Sequence, residues 1–108
     1  MIHELRIYTA SPGRMGDLLA RFRDHTMAIF ERHGIRNIVY WTNSIGGRSD
    51  ELWYVVGFDS MAQRDEAWNS FRNDPEWQQV RRDTEADGPI VETIVDKMMV
   101  PTDFSPMA

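Results

Sequence analysis

Apolar and polar residues alternate along the first segment of the chain, which predicts a β-strand over residues 2–9. Leu5 and Ile7 point to one side of this strand, whereas Glu4, Arg6 and Tyr8 point to the other. One side is therefore apolar, and the other carries an acid, a base and a phenol. This combination indicates a central strand with both faces covered rather than a strand that lies against water.

The apolar positions then change to helical spacing and predict one long helix over residues 14–33. Gly34 follows it directly and suits the left-handed residue that ends many helices. Arg21 and most other charged residues of this segment lie largely off the apolar stripe, and His25 borders it. The stripe contains Met15, Leu18, Leu19, Phe22, Thr26, Ile29 and Phe30.

The middle of the chain has the pattern of a β-hairpin. Residues 35–43 and 51–58 are rich in residues that favour strands, and Gly46 and Gly47 supply the turn between them. In the second of these strands, Trp53 and Val55 point to one side. The opposite side carries Leu52, Tyr54, Val56 and Phe58.

Two helix starts and a final strand occupy the rest of the chain. Ser60 and Gln63 form a capping-box pattern, and Asp74 followed by Pro75 suits the start of a further short helix. Residues 90–100 alternate again and predict the last strand. The expected organisation is a single domain over residues 1–100 and a C-terminal tail over residues 101–108.

The order strand, helix, strand, strand, helix, strand predicts an α+β fold, a ferredoxin-like βαββαβ antiparallel sheet with its helices on one face. The first and last strands should be neighbours, and the third should lie between the first and the second. The helices cover only one face, so the bulky residues on the other face need a partner. Because identical copies favour a two-fold contact, we expect a homodimer that packs sheet against sheet.

Composition narrows the functional classes. The chain has 108 residues, no cysteine and a net charge of −5, an acidic balance that argues against a nucleic-acid partner. No apolar run approaches the ~18 residues of a membrane span, and the sequence starts in a strand pattern without a leader. We therefore expect a soluble, cytoplasmic protein.

The first strand also carries the first candidate site. Arg6 could orient a substrate oxygen while Tyr8 donates a hydrogen bond to it, which would make an anion- or carbonyl-binding patch. The alternative is a structural ion pair of Arg6 with Glu4, Glu92 or Asp96 across the sheet. The sequence alone does not decide between the binding patch and the structural ion pair.

His25 is the candidate general base, because the histidine pKa ordinarily lies near neutrality. The alternative is a partly buried histidine bonded to backbone or solvent. Trp41 and Trp53 could stack on a planar substrate, or they could belong to the core or an interface. The three histidines, at positions 3, 25 and 33, show no metal-ligand spacing, so no metal site is predicted.

Several short motifs, in this order and spacing, resemble the NIPSNAP family across roughly residues 2–77. The family belongs to the dimeric α+β barrel group, so the resemblance implies two subunits whose sheets form a barrel, with a pocket between sheet and helices in each. The wider group includes cofactor-independent monooxygenases, haem-degrading enzymes, lactone isomerases and dehydratases, whereas the NIPSNAP branch has no settled activity. The motifs are Glu4-Leu5-Arg6-Ile7-Tyr8, Pro12-Gly13, His33-Gly34, Tyr40-Trp41, Gly46-Gly47 and Asp74-Pro75-Glu76-Trp77.

Two functional hypotheses are consistent with these features. The first is a cofactor-independent enzyme, monooxygenase- or isomerase-like, that acts on a hydrophobic carbonyl or aromatic metabolite without a metal. Its pocket would be an apolar cavity in which Arg6, Tyr8 and His25 are the few polar groups, with Trp41 and Trp53 binding substrate. The alternative is a non-catalytic homodimer that binds a small ligand or a protein partner.

Overall fold

The computed structural model describes residues 1–107 and contains one four-stranded antiparallel sheet with helices on one face. The strands are β1 (Ile2–Ala10), β2 (Arg36–Thr42), β3 (Glu51–Phe58) and β4 (Val91–Met99). Their order in the sheet is β2-β3-β1-β4. The predicted α+β, ferredoxin-like fold and the predicted neighbours of β1 are therefore confirmed.

The helical segments are α1 (Met15–Arg21), a π-helical turn (Phe22–Thr26), α2 (Met27–Arg32), α3 (Met61–Arg72) and α4 (Pro75–Thr84). The last two begin where the predicted capping residues lie. The Ser60 hydroxyl accepts a hydrogen bond from the amide of Gln63 at 3.1 Å, and Asp74 accepts one from the amide of Glu76 at 2.7 Å. Both side chains satisfy amides that the first helical turn leaves without partners.

The π-helical turn interrupts what the sequence predicts as one uniform helix. Here the amide of Met27 bonds to the carbonyl of Phe22, five residues earlier, and the Thr26 hydroxyl donates to the carbonyl of Arg21 at 3.2 Å. The additional residue rotates the subsequent helical residues by about 100° relative to a continuous α-helix. Thr26, which belongs to the predicted apolar stripe, is buried, and His25 is exposed.

Aromatic rings fill the core between the sheet and the helices. Tyr54, at the centre of β3, is fully buried, stacks on Tyr40 at 4.9 Å between ring centroids, and lies 5.1 Å from Phe22. Phe30 meets Phe71 edge to face at 4.9 Å. Such ring contacts stabilise the fold beyond the apolar area that they bury. They also fix the β1 and β3 side chains against the helices.

No helix of residues 1–107 covers the opposite face of the sheet, which we call the open face. Strand register places its side chains in adjacent rows, as in the pairs Leu5–Val55 and Trp41–Trp53. The Trp41 side chain is 53% exposed and that of Val95 is 48% exposed. The apolar residues of the open face include Leu5, Ile7, Val39, Trp41, Trp53, Val55, Val95 and Met99.

Beyond β4 the chain continues as turns, in which the side chains of Val100 and Phe104 are exposed. The predicted tail, residues 101–108, ends with Ala108, which lies outside the described residues; the division into a domain and a tail stays a prediction. None of the helices described is both long and apolar enough to cross a membrane.

Candidate functional site

A buried carboxylate on β1 organises the polar contacts between the sheet and α3. Glu4 is fully buried and accepts hydrogen bonds from Arg6 Nη1 at 2.8 Å, Arg64 Nε at 2.8 Å and Trp68 Nε1 at 3.0 Å. Arg64 of α3 pairs with Glu4 across sixty positions of sequence. Two cations and an indole N–H thus compensate one buried anion.

These contacts determine the charge state of the cluster. Burial alone would raise the pKa of Glu4, but the hydrogen bonds from Arg64, Trp68 and Arg6 outweigh burial and hold that pKa below its ordinary value. Burial would likewise lower the pKa of Arg6, yet the phenol oxygens of Tyr54 and Tyr8 and the Glu4 carboxylate raise it. Glu4 is therefore an anion and Arg6 a cation at neutral pH.

Arg6 also donates hydrogen bonds to two phenols. Its Nε donates to the Tyr54 hydroxyl at 2.9 Å, and its Nη2 donates to the Tyr8 hydroxyl at 3.3 Å. The buried Tyr54 hydroxyl in turn donates to Tyr8 at 3.0 Å. Because the Tyr8 oxygen accepts both bonds, its own proton remains available to a third group. Burial raises the pKa of Tyr54, the nearby Tyr8 raises it further, and the phenol stays protonated.

Tyr8 lines a cavity of about 430 Å³ between the sheet and the helices. This volume lies within the usual range of small-molecule sites, ~300–1,000 Å³. Five aromatic side chains line it: Tyr8, Phe22, Phe30, Phe71 and Trp77. The cavity also has a polar side, formed by Arg21, Thr26, Arg81, Glu85, Glu92 and Thr93.

Arg21 is the buried cation of this cavity. Its side chain is only 5% exposed, its Nη1 donates to Glu85 Oε2 at 3.1 Å, and its guanidinium lies over the ring of Trp77. The sequence places Arg21 off the buried stripe, which is wrong: Arg21 borders that stripe three residues after Leu18, and α4 covers the border. Burial lowers the pKa of Arg21, while Glu85 opposes that shift.

One N–H of Arg21 has no acceptor. Its Nε is buried and makes no hydrogen bond to any of residues 1–107. Leaving a buried donor unpaired costs ~1–3 kcal/mol, and native proteins contain few such groups. Arg21 and Tyr8, which both line the cavity, therefore each have a donor that is bonded to no acceptor among residues 1–107.

The structure separates the predicted site residues into three locations. Arg6 and Tyr8 lie together on the helix-facing side of β1, where Arg6 forms ion pairs with Glu4 at 2.8 Å and with Asp96 at 3.8 Å. Trp41 and Trp53 pair on the open face, on the other side of the sheet from the cavity. Their roles in binding substrate stay predictions.

His25 lies in a third location. It is exposed and lines a shallow surface groove with Arg14, Asp17 and Asp87 rather than the cavity that contains Tyr8. The expected convergence of Arg6, Tyr8 and His25 on one cavity is therefore not observed. The physical reason is that His25 only borders the buried stripe, whose inward position in this turn Thr26 occupies. A catalytic role for His25 stays a prediction.

Sequence patterns contained part of the signal for the residues that were missed. Arg64 precedes the buried Trp68 by four residues, so both lie on one helix face. Arg21, Arg81 and Glu85 meet only because α1 and α4 pack together, which no local pattern shows. Within residues 1–107, no three His, Cys, Asp or Glu side chains are grouped so that they could hold a metal ion.

The NIPSNAP family model matches residues 3–106 of the chain. The chain belongs to the NIPSNAP family. Protein NipSnap homolog 3A of Homo sapiens is 27% identical over 79 residues, which make up 73% of this chain and 31% of that protein. NipSnap homolog 3B of Mus musculus is 27% identical over 77 residues, 71% of this chain and 30% of that protein. The chain thus spans under a third of the length of these NipSnap relatives.

Solved structures of bacterial NIPSNAP proteins share the fold along the whole chain. A NIPSNAP family protein from Agrobacterium tumefaciens has a TM-score of 0.85 and 28% identity, covering 99% of this chain and 98% of that one. A NIPSNAP-like domain protein from Burkholderia xenovorans has a TM-score of 0.83 and 26% identity, covering 97% and 88%. An antibiotic biosynthesis monooxygenase has a TM-score of 0.61 and 9% identity, covering 94% of this chain and 99% of that one. At that identity the two proteins share the fold alone.

Proposed function

We propose that this NIPSNAP protein binds a small, hydrophobic, planar ligand with a carbonyl oxygen in the cavity between the sheet and the helices. The observation that carries the proposal is that Tyr8 lines the cavity and that its hydroxyl accepts hydrogen bonds from Arg6 and Tyr54 while donating none to residues 1–107. A hydroxyl that accepts from a cation is a stronger donor, because the bonds polarise one another.

The aromatic lining supports a planar ligand. Edge-to-face contacts hold Phe22 against Tyr8 at 5.6 Å and Phe30 against Phe71 at 4.9 Å, so the walls are ordered before anything binds. A preformed site loses little conformational freedom on binding, which favours affinity. The ligand's rings would replace solvent against these faces while its carbonyl oxygen accepts from Tyr8.

The geometry favours binding over catalysis. A cofactor-independent enzyme of the monooxygenase or isomerase type needs a general base within reach of the ligand. His25 faces a different groove, and the Glu85 carboxylate already accepts hydrogen bonds from Arg21 and Arg81. Of the two hypotheses, the non-catalytic ligand-binding homodimer therefore fits the cavity better.

Calorimetric titration with 2-naphthamide, a neutral planar carbonyl compound, tests the proposal. The parent protein should bind it, and Tyr8→Phe should weaken binding by roughly threefold to tenfold, as expected for one lost hydrogen bond. Tyr40→Phe is the matched control, because its hydroxyl donates to Asn37 and does not line the cavity. Absence of binding, or equal binding by the Tyr8 and Tyr40 variants, would contradict the proposal.

We also propose that a second copy of the chain covers the open face. The exposed Trp41 and Val95 side chains support this, as does the barrel dimer that the family resemblance implies. Sedimentation should give twice 12.6 kDa. Val95→Asp should split the dimer, whereas Met61→Asp, at an α3 side chain equally exposed at 48%, should not. A monomeric parent, or a dimer insensitive to Val95→Asp, would contradict it.

A further inference from the structure

Two arginines share one carboxylate oxygen at the wall of the cavity. Arg21 Nη1 and Arg81 Nε both lie 3.1 Å from Glu85 Oε2, and all three side chains line the cavity. Arg81 is 67% exposed, so water screens its charge, and Arg21 is the buried cation of the group. The repulsion from Arg81 and the burial of Arg21 both act against the Arg21 cation, and Glu85 offsets them only in part.

Arg21 also has capacity for a further acceptor. Both hydrogen bonds that it makes to residues 1–107 leave from Nη1, and its Nε is buried without a partner. A guanidinium presents donors in a rigid planar fork that matches a carboxylate. A buried guanidinium fork with only one bonded nitrogen is suited to bind an anion.

We propose that the ligand of this cavity is an aromatic carboxylate, whose anionic group binds Arg21 while its rings lie among the aromatic side chains of the lining. The inference rests on the proposed ligand-binding function and specifies its chemical class. Trp77 lies under the Arg21 guanidinium, with the guanidinium carbon 5.3 Å from the ring centroid, so the charged and aromatic parts of the site adjoin. Glu92 is the cavity's other carboxylate, but it is exposed on β4, where water screens its charge.

The test compares two probes of nearly equal size, 2-naphthoate and 2-naphthamide, by calorimetry at pH 7. Both present a planar ring system and a carbonyl oxygen, and only naphthoate carries a charge. The parent should bind naphthoate about tenfold more tightly, as expected for a buried hydrogen bond between charged groups. Arg21→Met keeps an apolar stem of similar length and should abolish this preference, so that the variant binds naphthoate and naphthamide equally.

Two further variants control for structural damage. Arg23→Met, at an exposed position two residues along the same helix, should retain the preference for naphthoate. Glu85→Gln removes the competing carboxylate and should strengthen naphthoate binding severalfold with little effect on naphthamide. Damage to the fold cannot strengthen the binding of one probe alone. Glu85→Gln therefore tests the carboxylate inference even where Arg21→Met fails to fold.

The outcomes separate the two proposals. Equal binding of both probes by the parent, or a naphthoate preference that survives Arg21→Met in a folded protein, would overturn the carboxylate inference and leave the binding function standing. Failure of Glu85→Gln to strengthen naphthoate binding would also count against the carboxylate inference. Binding of neither probe would overturn the proposed binding function itself.

Discussion

Replacing Glu4 by Gln tests the polar cluster on which β1 and α3 depend. The substitution keeps the shape of the side chain and removes the buried negative charge that pairs with both Arg6 and Arg64. It also presents an amide NH₂ to groups that are themselves donors. Removing one partner of a buried ion pair ordinarily costs ~3–5 kcal/mol.

We expect Glu4→Gln to fall at the low end of that range, about 3 kcal/mol at pH 7. Asp96 lies 3.8 Å from Arg6 and 3.7 Å from Arg64, so it can compensate part of the charge that is left. Urea unfolding followed by tryptophan fluorescence measures the loss. Parent and variant must be compared at one protein concentration, because the stability of a dimer depends on concentration.

The pH dependence adds a second measurement. The folded-state pKa of Glu4 is lowered, so its stabilising contribution is complete above its ordinary pKa, ~4.3, and is lost as the pH falls through the folded value. The difference in unfolding free energy between the parent and Glu4→Gln should therefore become smaller as the pH falls. Glu66→Gln, at an exposed position on α3, is the control. If both variants lose the same small amount at pH 7, the cluster does not stabilise the fold as described.

Three further predictions concern packing, capping and backbone conformation. Phe22→Ala should destabilise by ~3–5 kcal/mol in urea unfolding, and Arg23→Ala by within about 0.5 kcal/mol; equal effects would mean that the buried face is wrongly assigned. Asp74→Ala removes the cap of α4 and should cost ~1–2 kcal/mol. Hydrogen bonds from Arg32 and His33 lower the pKa of Asp74, so the stability lost in Asp74→Ala should become smaller below about pH 4. A loss that does not change with pH would contradict this role of the Asp74 carboxylate. Gly34→Ala should lower the melting temperature, because φ at Gly34 is +81° and the new Cβ would lie 2.9 Å from Gln63 Nε2. Gly16→Ala should not lower it, because Gly16 lies in a helix and a Cβ there would meet no atom within 4 Å.

The sequence predicts the sheet well, because its signals are local. Alternation assigns the faces of β1 and β3 without reference to other segments, and chain order then limits the topology to few choices. The capping residues Ser60 and Asp74 mark helix starts for the same reason, since each bonds an amide only two or three residues away.

The candidate site was predicted only in part, because its contacts are distant in sequence. Tyr8 was identified from its place on β1, but Arg21 meets Glu85 across 64 positions, and only the packing of α1 against α4 buries it. The π-helical turn had no local signal either. The helical spacing did place Thr26 inward, as observed, but it left His25 at the border of the stripe, and only the packed structure shows that His25 is exposed.

The central claim, that the cavity between sheet and helices is the ligand site, is tested most directly by NMR. Titrating 2-naphthoate into ¹⁵N-labelled protein should produce saturable shifts at the amides of Thr26 and Phe71 and at the indole N–H of Trp77, all of which line the cavity. The open-face Trp41 and Trp53 indole signals should stay in place. Shifts confined to Trp41 and Trp53, or no saturable shift at the cavity residues, would contradict the claim.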